Sequence, residues 1–234
     1  MKLFYQLIFV TLVLLFVHES AHCQSKKTNK FIGEYADVAL WPVGKKRQPL
    51  MKWGEKDTIR YRIYGNLRYM SLLEWDNYVG EVAELIGKTV VRTNQKDFDI
   101  IMFFGTLRDY ANFTGVNVRL KGGTIYGSWG DRRWNKEYEL TYASACIDPS
   151  RLKSNISGVF LVKQQFLRTL GLLGGIESQY SIFNIEGFDN NKSLSKKDRQ
   201  FIRLHYNEKV KTGLERGDLI EAIKEIRNLK AFVK

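Results

Sequence analysis

The sequence predicts a single α+β domain built as a mixed sheet with a long central helix and further helices towards its C-terminal end. Three stretches carry that reading. Thr58 to Tyr64, TIRYRIY, alternates Ile59, Tyr61 and Ile63 against Arg60 and Arg62, the period of a strand with one wet face. Phe98 to Phe104, FDIIMFF, is an apolar run of strand length buried on both sides. Val159 to Gly175, VFLVKQQFLRTLGLLGG, places Val159, Val162, Phe166, Leu170 and Leu173 at three- and four-residue steps, which turns one helix face into a core.

The remaining elements follow in chain order. Met1 to Cys23 combines one lysine, an apolar run from Leu7 to Val17 broken only by Thr11, and a short polar end. That pattern is a secretory signal peptide, too short and wrongly flanked for a membrane span. Ala21 and Cys23 are the small residues expected three and one positions before a cut, so the chain divides into 1–23, an irregular lead-in over 24–50, and a domain over 51–234. Acylation of Cys23 as a lipoprotein is the less favoured alternative, since His22 stands where a small residue is usual. His18, Glu19 and His22 spell H-E-x-x-H, but at the cleavage end of a signal and not on a helix inside a domain.

Within the domain, Ser71 and Glu74 form a capping box for a helix whose stripe is Leu72, Trp75, Val79, Val82 and Ile86, ended by Gly87. Thr124 to Trp129 and Tyr138 to Ile147 read as strands joined by a charged turn, GDRRWNKE, from Gly130 to Glu137. Ser195 and Asp198 form a second capping box for a helix through Tyr206, and Asp218 with Glu221 caps a last one carrying Leu219, Ile223 and Ile226.

Composition narrows the chemistry. The formal charge of +12 favours anionic surroundings, whether polysaccharide, lipid headgroups at a membrane surface or nucleic acid, and the last is not expected for an exported protein. After Cys23 only Cys146 remains, so no internal disulfide can form, and the one histidine left is His205, too few for a metal site. There is no G-x-S-x-G, no Cys-His pairing and no evident carboxylate dyad. No cofactor is expected.

The helix at 159–175 has the outline of the metzincin metallopeptidase helix H-E-x-x-H-x-x-G-x-x-H, in which histidines one turn apart bind zinc and the glutamate is general base. Laid on Gly171, that pattern falls on Gln164, Gln165, Arg168 and Gly174. The frame and the glycine match, whereas every chemical residue is replaced: amides hold zinc poorly, Gln165 cannot take a proton, and Arg168 would repel a dication. Leu170, Gly171 and Leu172, then Ser181 to Asn184 (SIFN), then Leu194, Ser195, Asp198, Ile202, Arg203, Tyr206 and Gly213 together resemble a bacterial exported family, domain of unknown function 2927.

The resemblance implies a zincin-like domain in periplasmic or secreted form, with a ruined metal site, acting by binding: a pseudoenzyme. A metallopeptidase or other hydrolase using unrecognised residues is the rival expectation. The strand preceding the metzincin helix runs along the cleft edge and holds extended ligands. The resemblance therefore points to Trp129, Arg132, Arg133 and Trp134 as candidate ligand-binding residues, with an anionic polysaccharide or a peptide as partner.

Overall fold

In the computed structural model of the chain, residues 26–40, 42–43, 46–116, 128–151, 158–185, 193–227 and 229 are described. Expectations for the signal segment, Cys23 and the H-E-x-x-H at 18–22 fall outside them. Five strands form the central sheet in the order β4-β3-β5-β7-β6: β3 (Thr58–Gly65), β4 (Thr89–Arg92), β5 (Ile100–Phe104), β6 (Ser128–Trp134) and β7 (Leu140–Ile147). Neighbours pair in parallel except at one margin, where β6 runs antiparallel to β7. The chain is a single α+β domain with a mixed sheet.

Alternation in β5 builds both layers of the molecule. Ile100, Met102 and Phe104 face the main core, and Ile101 and Phe103 face a smaller cluster with Leu107, Tyr110 and Cys146. The main face is covered by α2 (Leu72–Ile86) and α4 (Gly158–Thr169), with α5 (Lys196–His205) packed on α2. Trp75, Tyr78 and Phe166 meet there with ring centroids 5.2 to 6.1 Å apart. The second face carries α3 (Leu107–Thr114), capped by Thr106 and ended by Gly115 in the left-handed region. The last helix is α6 (Arg216–Lys224).

Both capping boxes form: Ser71 with Glu74 on α2 and Ser195 with Asp198 on α5. Leu72 departs from its predicted place, being 51% exposed while Tyr78 and Leu85 fill the stripe instead. The side chain of a first-turn residue lies over the chain entering the helix, and here no core reaches that far. The start of α6 also differs. Glu215 is its cap residue, without a side-chain cap bond, and Asp218 lies in the first turn.

The largest correction is at the N-terminal side. An irregular lead-in is expected over 24–50, yet residues 26–39 are the helix α1, followed by the short antiparallel strands β1 (Pro42–Val43) and β2 (Lys46–Arg47). Phe31, Ile32, Tyr35, Ala36, Val38 and Ala39 are buried, a helical stripe hidden from a sequence reading by the polar residues ahead of it. Tertiary partners supply what periodicity alone leaves weak: Phe31 packs on Phe201 at 5.0 Å between ring centroids, and Asp37 pairs with Arg216 at 2.6 Å.

Candidate binding groove

Helix α4 ends at Thr169, and the residues aligned with a metal site do not act together. Gln164 and Gln165 are buried, and their amides are committed in opposite directions. Gln164 Nε2 donates to the carbonyls of Ile182 at 2.9 Å and Asn184 at 3.4 Å, pinning the segment after the helix. Gln165 Nε2 donates to Ser128 Oγ at 3.1 Å, pinning β6.

Gly171 and Gly174 lie past the helix end and serve close backbone approach. Gly171 has φ 100°, and a Cβ there would stand 2.0 Å from the Met51 carbonyl oxygen. A Cβ on Gly174 would stand 1.9 Å from the Asp37 carbonyl oxygen, so no larger side chain fits at position 174.

The residues do not fit a zinc ion. Two committed amides and a guanidinium are the donor set, and Arg168 brings a fixed positive charge into the slot. Among the described residues, no three His, Cys, Asp or Glu side chains are placed to share an ion.

The segment expected as a charged turn, Gly130 to Glu137, is a strand through Trp134; the reversal occupies Asn135 to Tyr138, with Tyr138 at φ 61°. A strand sends successive side chains to opposite faces. The register with β7 puts Gly130 opposite Ala145 and Arg132 opposite Ala143 on the helix side, and Trp129 opposite Cys146 and Arg133 opposite Tyr142 on the other. The four candidate residues are therefore divided. Arg133 lies over the Tyr142 ring at 4.9 Å, and Trp129 packs on the smaller cluster with its buried Nε1 unpartnered. Arg132 and the 41% exposed Trp134 lie on the helix side.

On that side, β6 packs against α4 along a seam with an unusual charge pattern. Arg132 Nε donates to the Arg168 carbonyl oxygen at 3.0 Å, bringing two arginines together at the C-terminal end of α4. A Cβ on Gly130 would stand 3.0 Å from Arg132 Nη2, so the bare backbone at position 130 makes room for the guanidinium to fold back along the strand. Arg168 keeps some solvent contact as a residue, but its Nε is sealed off and has no hydrogen-bond partner. Burial lowers Arg168 to about 10; burial and then the Arg168 charge lower Arg132 to about 10. The partial negative charge of a helix C-terminus offsets part of this cost. Ser128, which ties Gln165 to the strand, is the residue of this seam that sequence reasoning misses, since a lone serine before an aromatic gives no signal.

A separate cavity of about 420 Å³ lies by Lys52, Lys88, Lys211, Glu139, Glu208 and Tyr206, away from all these residues. Burial, with Lys211 and Lys88 nearby, lowers Lys52 to about 8. Its ammonium is spent on the carbonyls of His205, Asn207 and Val210, which close the end of α5, so it offers no free donor there.

The motif residues downstream are joints of the fold. Ser181 Oγ donates to Asp198 Oδ1 at 2.5 Å, the backbone N–H groups of Ile182 and Ser195 donate to Oδ2, and Tyr206 Oη donates to the Leu170 carbonyl at 2.9 Å. His205 is a core histidine: Nε2 donates to the Met51 carbonyl at 3.2 Å, which leaves Nδ1 to accept from Tyr35 Oη at 3.1 Å. Cys146 is buried, its thiol pushed up to about 12. No helix among the described residues is long and apolar enough to cross a membrane. No protein-family profile matches the chain, and no curated protein matches it.

Proposed function

We propose that this chain is an exported, degenerate relative of the metzincin peptidases that binds extended peptides without cutting them. The observation that carries the reading is the position of β6. It is one of the two edge strands of the sheet, the one antiparallel to its neighbour, and among the described residues its other edge has no strand partner. An unpaired strand edge is a row of backbone donors and acceptors onto which a peptide can add as a further strand. Beside it, α4 presents Gln165 and Arg168 in place of a base and a metal ligand, and neither side chain can activate water. The division of Trp129, Arg132, Arg133 and Trp134 between two faces favours a peptide over a polysaccharide, since no joint platform of tryptophans and arginines exists for sugar rings.

Hydrogen exchange with a pool of capped hexapeptides tests this. Saturating peptide should slow exchange at the amides of Ser128 to Trp134, and mass spectrometry should recover the peptides whole. Cleaved peptides would restore the hydrolase reading, and unchanged exchange at β6 would remove the edge as a binding surface.

A further inference from the structure

We infer that the cavity walled by the end of α2, the chain entering β3 and the turn after α5 is a binding site for a small zwitterion, a molecule carrying one ammonium and one carboxylate, such as a free amino acid or a very short peptide. None of its lining residues belongs to β6 or α4, so the site is independent of the peptide-binding reading of the β6 edge.

Size and charge place it. The cavity holds about 420 Å³, within the roughly 300–1,000 Å³ of small-molecule sites, and three lysines, Lys52, Lys88 and Lys211, line it together with three glutamates, Glu55, Glu139 and Glu208. Among the described residues no ion pair joins any two of these six, whereas elsewhere Lys197 reaches Glu34 at 2.5 Å and Lys224 reaches Glu221 at 2.8 Å. The three half-buried groups already have partners. Lys52 is held by three carbonyls, Lys88 donates to the carbonyls of Gly54 at 2.7 Å and Lys56 at 2.8 Å, and Glu139 Oε2 accepts from Asn135 Nδ2 at 3.0 Å. That leaves one Lys88 N–H, and it leaves Glu139 Oε1, which lies against the Gly54 backbone, where a Cβ would stand 2.0 Å from it. The three exposed groups, Glu55, Glu208 and Lys211, make no side-chain hydrogen bond or ion pair with a described residue. The Lys52 charge has the other two lysines for electrostatic neighbours: burial, then Lys211 and Lys88, hold it down to about 8. A lone anion would enter beside three carboxylates, and a lone cation beside three ammonium groups. One molecule bearing both charges meets each with its opposite: its carboxylate accepts from Lys211 and Lys88 beside the Lys52 charge, and its ammonium donates to Glu208 and Glu139 Oε1.

A scan of charge separation tests the site. The probes are ω-amino acids from glycine to 6-aminohexanoate, with diglycine and triglycine, titrated at constant ionic strength while following the backbone N–H resonances of Gly54 and Gly87 and the melting temperature. At least one probe should saturate, move both glycine resonances, and at ten times its dissociation constant raise Tm by roughly 3–6 °C. Its N-acetyl derivative, which keeps only the negative charge, and its amide, which keeps only the positive one, should each bind about tenfold or more weakly. Lys211→Met and Glu208→Gln, both at exposed positions, should each weaken binding by about tenfold, and Lys209→Met, adjacent in sequence but outside the lining, should leave it within about twofold. The site is overturned if no probe saturates, if either singly charged derivative binds as tightly as its parent, or if Lys209→Met weakens binding as much as Lys211→Met and Glu208→Gln do. The scan also separates the two sources: preference for an ω-amino acid assigns the cavity to a free amino acid, and preference for diglycine or triglycine assigns it to a short peptide with both ends free.

Discussion

Two polar regions flank helix α4, and they are built on opposite terms. Past its C-terminal end, Asp198 and His205 are fully buried and every hydrogen-bonding atom of their side chains that needs a partner has one. Across from β6, Arg168 holds a sealed Nε that meets nothing, next to a second arginine. Buried polar groups that are satisfied hold a fold in one arrangement; those left open cost stability and persist where they are used. The contrast separates satisfied joints of the fold from an unpaired polar contact within one helix's surroundings, and three measurements probe it.

The largest effect is expected at Asp198. Asp198→Ala leaves the Ser181 hydroxyl and two backbone N–H groups without their acceptor, at a cost on the order of 3 kcal/mol or more by denaturant unfolding. A loss under about 1 kcal/mol would show that this joint is dispensable.

Next comes a pH effect at His205. Burial, reinforced by the Lys52 charge, holds its imidazole down to about 3, against 6.5 in an unfolded chain. As pH falls, the unfolded chain takes up the proton first, so stability present above pH 6.5 is lost progressively towards pH 3. Linkage puts the loss at about 2 kcal/mol by pH 5, a contribution absent from His205→Gln. The difference in unfolding free energy between wild type and variant should shrink by that amount between pH 7 and pH 5. A difference independent of pH would mean that the imidazole takes up its proton in the fold as readily as in the unfolded chain.

The smallest effect is the one that sharpens the contrast. Arg168→Met keeps an apolar stem and removes an unpartnered charge, so stability should stay within about 1 kcal/mol of wild type, or rise. Destabilisation as large as that of Asp198→Ala would make Arg168 a structural residue like the others.

The parts of this molecule legible in its sequence are those decided locally. Both capping boxes, the β3 alternation and the apolar β5 run need only neighbours in the chain to be recognised. β6 was not legible, because SWGDRRW offers no apolar alternation: its period is carried by glycine and arginine on one side and by tryptophan, aspartate and arginine on the other. Gln164, Gln165 and Arg168 could be placed on one helix, but which way each amide turns depends on Ile182 and Ser128, set by distant packing. The helix α1 is hard to read from sequence for a like reason, its stripe being completed by residues as distant as Phe201 and His205.

That last feature bears on how the chain reaches its fold. Tyr35 bonds a residue 170 positions later, and Asp37 pairs with one 179 positions later. Helix α1 therefore cannot take its place until nearly the whole chain has left the ribosome, and its apolar stripe waits uncovered through synthesis. Contacts of such long sequence separation are slow to close and lengthen the time spent open to aggregation. A holdase that keeps the early segment from associating would act on α1 first, and a chain lacking α5 would leave Phe31 and Tyr35 without the Phe201 and His205 rings they pack on.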